Sequence, residues 1–217
     1  MQYRRPSSSI AAAAVVLLTA TVAMAAGWEK ADSEDGVNLY TKDLPNSGID
    51  ALKADMTLPY TTDQVAELLT DLKEIRNYSP AVKATKLLNE KTLDNGHHVM
   101  LTHQVTHIPA FDDRDVVLRS ETWSEKTDKG TVWKSTFKSV TGVGPAEDPD
   151  MVRMPALDGA WTLTPTKNGT ATRFVYIMHT EIGGNLPDFL VQSGQNDALL
   201  DMMIRIGKRC DERFGSP

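Results

Sequence analysis

The segment NGHHVMLTHQVTHIPAFDDRD, Asn95 to Asp115, holds His97, His98, His103 and His107, four of the five histidines in the chain, together with Asp112, Asp113, Asp115 and Arg114. Such a group could bind a metal, move a proton or line a pocket. A zinc site needs three or four ligands converging at about 2 Å from one point. His103 and His107 are spaced for one helix face, but VMLTHQVT alternates as a strand does, and in a strand these side chains lie ~13 Å apart at ~3.3 Å per residue. No metal is expected here. Acid–base chemistry needs a histidine oriented by a carboxylate and aimed at a substrate, and His107 with Asp112, Asp113 or Asp115 could be so arranged. Neither a Gly-x-Ser-x-Gly nucleophile motif nor a second cysteine accompanies it, so no catalytic residue is assigned. An enzyme with His107 or His103 as base remains the alternative. As a pocket wall, the strand offers two faces: Val99, Leu101, His103 and Val105 on one, Met100, Thr102, Gln104 and Thr106 on the other. Apolarity alone would turn the first inward.

The elements that must position this strand are mostly strands themselves. VNLYTK, ALKADMTL, ATKLLNEKT, HHVMLTHQVT, RDVVLRSETW, TVWKSTFKSV, GAWTLTP and TATRFVYIMHTEI alternate with period two. Short turns at Asp94–Gly96, Asp128–Gly130 and Asn168–Gly169 connect several of them, so consecutive strands are expected to run antiparallel. TTDQVAELLTDLKEIRNY predicts a helix capped by Thr61 or Thr62, with Val65, Leu68, Leu69, Leu72 and Ile75 on one face, ending near Pro80. A second helix opens at Pro187 and runs on for roughly 27 residues, ~40 Å at 1.5 Å per residue. Its apolar stripe is Leu190, Val191, Ala198, Leu199, Met202, Met203, Ile206 and Cys210. The fold class expected is therefore α+β: a curved antiparallel sheet of about eight strands wrapped around a long C-terminal helix. A hollow between sheet and helix suits an apolar ligand.

The N-terminus has its own pattern. Arg4 and Arg5 precede an apolar run from Ile10 to Met24, and Ala23 to Ala25 supply a small-x-small cleavage site, as in an export signal over residues 1–25. The run is shorter than the ~20 residues of a membrane span. Residues 26–217 then form one domain, expected in the periplasm or secreted. The whole chain carries 29 acids against 23 bases, and loss of Arg4 and Arg5 makes it more acidic still, which disfavours nucleic acid as a partner. Cys210 is the only cysteine, so an intrachain disulfide is excluded, and its place on an apolar helix face reads as packing.

Several stretches together resemble START domains, the lipid-transfer modules of the helix-grip superfamily. PAFDDRDVV at 109–117 resembles the family's proline, polar loop and Arg-Asp signature. VRM at 152–154, GAWTLTP at 159–165 and EIGGNLPDFLV at 181–191 follow in the family's order, and the segment from Trp28 to Leu58 resembles its opening hairpin. The resemblance covers about residues 28–213. It implies a helix-grip fold and a lipid-binding cavity under the last helix, with no cofactor, a lipid or other hydrophobic small molecule as partner, and transient membrane contact.

The resemblance also bears on which strand face lines the pocket. START pockets often carry an acid at the position of Gln104 and an arginine at the position of Ser120; here both are neutral, while Arg119 is expected to face outward. Candidate lipid-binding residues are accordingly Met100, Thr102, His103, Gln104, Leu118, Ser120, Trp133, Phe137, Leu190, Met202 and Ile206, with His103 and Gln104 as alternatives for the inward position. Trp133, Phe137, Trp161 and Leu163 read first as core. Arg114 and Asp115 are expected to be structural, fixing the corner into the next strand by an ion pair or backbone bonds. The glycine- and proline-rich stretch at 141–150 is expected to be a loop, and ligand is expected to enter by movement of either the C-terminal helix or this loop. A periplasmic adaptor that uses the groove for a protein is the third reading.

Overall fold

A computed structural model describes residues 27–215; the export signal expected over residues 1–25 lies outside them. The eight expected strands are all present as β2 (Val37–Lys42), β3 (Ala51–Leu58), β4 (Val82–Thr92), β5 (His98–Thr106), β6 (Asp113–Thr127), β7 (Gly130–Ser139), β9 (Ala156–Thr166) and β10 (Ala171–Glu181). Two more join them, β1 (Glu29–Glu34) and β8 (Met151–Arg153), so the sheet has ten strands rather than about eight. Both escape the alternation rule for physical reasons: β1 is exposed along its whole length and needs no apolar face, and β8 has three residues.

The order is β1-β2-β3-β10-β9-β7-β6-β5-β4, with β8 beside the start of β6. Every pairing is antiparallel except β6 with β8. Hydrophobic side chains from the concave face, among them Leu39, Leu52, Ala54, Leu163 and Phe174, form one core with the helices.

The helices close this face. Thr61 caps α1 (Thr62–Thr70) through a reciprocal pair: its hydroxyl accepts from Gln64 N and its own N–H donates to Gln64 Oε1. One continuous helix to Tyr78 was expected, but α1 ends at Asp71, whose carboxylate accepts from Lys73 N at 3.0 Å. That local turn competes with helical bonding, and a separate short α2 (Ile75–Tyr78) follows. The terminal helix α3 (Asp188–Phe214) has 27 residues, as its stripe predicts, and it buries Val191, Leu199, Leu200, Met203, Ile206 and Cys210. At Gly207 an added Cβ would stand 3.3 Å from Met56 Cε, so the absence of a side chain there lets α3 settle closely on β3.

The two ends of α3 are held differently. Near its C-terminus Arg209 donates to both oxygens of Glu74 at 3.0 Å, Arg213 donates to Glu67 at 2.6 Å, and Tyr60 Oη donates to Asp211 at 2.7 Å. The N-terminal half is tied by neutral amide bonds, Asp50 N to Gln192 Oε1 and Gln195 Nε2 to Thr180 O.

Candidate ligand cavity

Between the concave face and α3 lie two adjoining hollows, of about 160 and 390 Å³. Ser79, Val82, Gln104, Leu157, Tyr176 and Met202 border both, so they form one bent cavity. The larger falls within the ~300–1,000 Å³ usual for small-molecule sites. The inner hollow is roofed by Leu69, Leu72 and Ile75 and by Met202 and Ile206 of α3, over Leu118, Phe137 and Trp161 of the sheet. The outer one opens between the β5–β6 loop, with Ile108, Pro109 and Phe111, and the start of α3, with Leu186, Leu190 and Val191.

Strand register determines which side chains face in. Gln104 pairs with Val116, Thr102 with Leu118 and Met100 with Ser120, and it is the even-numbered side chains of β5 that border the cavity. His103 therefore does not line it. The apolarity of the odd face misleads because the convex side is itself partly covered: a Cβ on Gly144 would stand 2.9 Å from Val117 and 3.1 Å from Leu88. The 141–150 loop thus packs on the outside of the sheet, Arg153 donates to Pro145 O at 3.3 Å, and no residue of the loop borders either hollow. The outer hollow opens beside the β5–β6 loop and the start of α3, away from the 141–150 loop.

Of the other residues named from the sequence, Met100, Thr102, Gln104, Leu118, Ser120, Phe137, Met202 and Ile206 meet around the inner hollow, and Leu190 stands half exposed at the outer one. Trp133 does not line the cavity; it packs against the core beside α1, its indole N–H donating to Asp63 at 2.7 Å. Arg119 faces outward and pairs with Glu121. Tyr78, Leu157 and Tyr176 were not singled out from the sequence, although continuing the β10 alternation from Phe174 would have found Tyr176.

The cavity wall is mainly apolar, with hydroxyl and amide groups set into it. Thr122 and Ser135 hydroxyls lie 2.8 Å apart, and Thr102, Gln104 and Ser120 add neutral groups. Burial pushes the phenols of Tyr78 and Tyr176 above their ordinary range, so both are neutral hydroxyls at physiological pH. Among the described residues no Asp, Glu, Lys or Arg borders either hollow, and His107 is the sole histidine that does.

The histidine cluster resolves into pairs. His97 contacts Glu121 at 2.7 Å, His98 contacts Glu90 at 3.4 Å, His103 contacts Asp115 at 2.8 Å and His107 contacts Asp113 at 2.9 Å. No group of three or more potential metal ligands converges among the described residues. Asp115, 1% exposed, also accepts from Arg153 Nε and Nη2 at 2.9 and 2.8 Å. Burial alone would raise its pKa, but hydrogen bonds from Arg153 and His103 outweigh that and hold the carboxyl below its usual range. Arg114 does not pair with Asp115: it donates to the carbonyls of Asp112, Ile182 and Gly183. It thereby joins the β5–β6 loop to the lead-in of α3, the two lips of the mouth.

Comparison with known proteins agrees with this architecture. A protein of Pseudomonas aeruginosa described as uncharacterized is 29% identical over 202 residues, 93% of this chain and 95% of its own. The crystal structure of a STAR-related lipid transfer protein from Xanthomonas axonopodis superposes with a TM-score of 0.71 at 23% identity, covering 85% of this chain and 98% of that one. Human StAR-related lipid transfer protein 5 superposes with a TM-score of 0.74 at 17% identity, covering 88% and 89%. The fold is thus the helix-grip arrangement of these proteins. The START domain family matches residues 8–211, and the chain belongs to that family.

Proposed function

We propose that this is an exported lipid-binding and lipid-transfer protein that holds one hydrophobic, hydroxylated ligand, such as a sterol or hopanoid, beneath α3. The observation that carries this reading is the cavity wall: apolar side chains interrupted by neutral hydroxyl and amide groups, with no Asp, Glu, Lys or Arg among the described residues that border it. Burial of apolar area at about 25 cal/mol per Å² supplies the affinity. The polar groups orient the ligand, and a zwitterionic head group would find no counter-charge. Native mass spectrometry followed by organic extraction should return one neutral lipid per chain; a phospholipid would defeat the selectivity, and an empty cavity with a copurifying protein would favour an adaptor. Gln104 can donate and accept, so Gln104→Leu should weaken a hydroxylated ligand by roughly 1 to 3 kcal/mol while leaving a fully apolar probe unaffected.

Delivery requires contact with a membrane. Phe111, Phe189 and Leu190 are 48%, 72% and 50% exposed; Phe111 and Leu190 line the mouth, and Phe189 is their neighbour on α3. An apolar rim of this kind suits brief insertion into a bilayer surface. Phe189→Asp should slow lipid transfer from vesicles without lowering the melting temperature; an unchanged rate would remove the rim from the mechanism.

A second reading, an enzyme, has one supporting observation: His107, oriented by Asp113, borders the outer hollow. Turnover of a bound small molecule that His107→Ala abolishes would establish it.

A further inference from the structure

The two exposed phenylalanines of the rim each have an acid beside them in the chain. Phe111 is followed by Asp112 on the β5–β6 loop, and Phe189 is preceded by Asp188 at the start of α3. All four residues are exposed. The ion pairs formed at this lip use Asp113 and Asp115 instead, which leaves Asp112 and Asp188 without a charged partner among the described residues. The bases of the neighbouring strands are already engaged: Lys83 with Asp113 at 2.8 Å, Arg153 with Asp115 at 2.8 Å, and Arg114 with the carbonyls of Asp112, Ile182 and Gly183. The parallel pairing of Asp113 with Met151 adds a further acid, because Asp150, also exposed, then leaves the sheet beside Asp112.

The unpaired charge of this rim is therefore carboxylate, one residue or ~3.8 Å of chain away from each ring. Proteins that dock on anionic bilayers do the reverse and set Lys and Arg next to their apolar anchors.

We propose that the mouth docks on a bilayer surface that presents ammonium groups, that of a zwitterionic aminophospholipid such as phosphatidylethanolamine, and that Asp112 and Asp188 select against anionic membranes. The proposal rests on reading the rim around Phe111, Phe189 and Leu190 as the point of membrane contact, and adds to it the head-group chemistry of that membrane. Rings inserted as far as the acyl boundary bring both carboxylates among the head groups. An ammonium there donates charge-assisted hydrogen bonds to them. A phosphatidylglycerol surface offers no such cation, and its negative potential repels a carboxylate about as strongly as it attracts a lysine. At physiological salt this repulsion reaches only ~8 Å, so it acts on groups at the interface rather than on the acidic chain as a whole.

Flotation of the exported protein with vesicles tests this. Vesicles of phosphatidylethanolamine and phosphatidylcholine are compared with vesicles in which phosphatidylglycerol replaces the phosphatidylcholine, at ~0.1 M salt. The zwitterionic vesicles should bind about tenfold tighter, and ~1 M salt should remove the difference by screening. Asp112→Asn with Asp188→Asn keeps the shape of both side chains. It should bring binding of the two vesicles together and leave the melting temperature unchanged. The proposal is overturned if the unaltered protein binds both vesicles equally or the phosphatidylglycerol vesicles more tightly. It is also overturned if the double variant keeps the preference, which would then belong to the acidity of the whole chain, or if the protein floats with neither vesicle, which would leave the lips to a basic protein partner. Transfer of dehydroergosterol between the same vesicles separates this outcome from the reading of the cavity. Transfer at one rate whatever the phosphatidylglycerol content removes only the docking preference, whereas selective flotation without any transfer removes the lipid-transfer reading and leaves the docking surface in place.

Discussion

Tethering the β5–β6 loop to the start of α3 is expected to stop lipid exchange altogether. The outer hollow opens between these two segments; elsewhere the cavity is bounded by a hydrogen-bonded sheet that a lipid cannot cross without breaking the ladder, and by the helical roof around Leu69, Leu72, Ile75 and Ile206. The unequal fastening of α3 points to the same opening. Charged pairs from Arg209 and Arg213 to Glu74 and Glu67 hold its C-terminal end, while the N-terminal half is held by two neutral hydrogen bonds through Gln192 and Gln195. Phe111→Cys with Leu190→Cys places one thiol on each lip. A thiol-cleavable cross-linker should abolish exchange between vesicles, and reduction should restore it. Cys210 will not interfere, since burial pushes its thiol up to about 12 and leaves it protonated and unreactive. Exchange at the normal rate through a tethered mouth would refute this entrance, whereas a tether on the 141–150 loop should have no effect.

Asp115→Ala is expected to be the most damaging single substitution, at roughly 3–5 kcal/mol. It leaves Arg153 and His103 facing a site from which the carboxylate is gone, although each side chain is only 15% exposed. Against a total stability of ~5–15 kcal/mol, that is a large share. Because the pair is buried, removing both partners should be milder than removing one, so Asp115→Ala with Arg153→Met should recover part of the loss in urea unfolding. The pH dependence follows from the direction of the shift. A carboxyl whose folded pKa lies below its unfolded value of 3.8 contributes its full stability above that value and loses it as pH falls through the folded pKa. Acid unfolding of the unaltered protein should therefore include a component below about pH 4 that is missing in Asp115→Ala. If that variant unfolds at the same urea concentration as the parent, the network is not structural.

The register of the sheet decided which residues of the candidate site could be read in advance. Met100, Thr102, Gln104, Leu118 and Ser120 were accessible as a set because a period-two strand places alternate residues on one face, and identifying one member identifies the rest. What alternation cannot show is which set faces the helix. Val99 and Val117 are both buried on the convex side, Val117 beneath the 141–150 loop, and a face covered by a loop looks the same in sequence as a face covered by a helix. His103 was ambiguous for that reason, and its partner Arg153 lies on β8, paired with β6 by a parallel register that no short turn announces.

The sequence by itself determined eight of the ten strands and the span of α3, while the choice of Gln104 and Ser120 as pocket positions came from the resemblance to START domains. The strands and the helix follow from side-chain periodicity and from turn and breaker residues, all of which are local. Only the tertiary structure decided that α1 stops at Asp71, that four histidines take four separate carboxylates, that Trp133 serves the core, and that Thr180 and Gln195 meet at the mouth. Each of these depends on groups brought together from distant parts of the chain, or on a backbone turn competing with a helix. Strand pairing and helix docking are cooperative, and neither leaves a mark in the spacing of neighbouring residues.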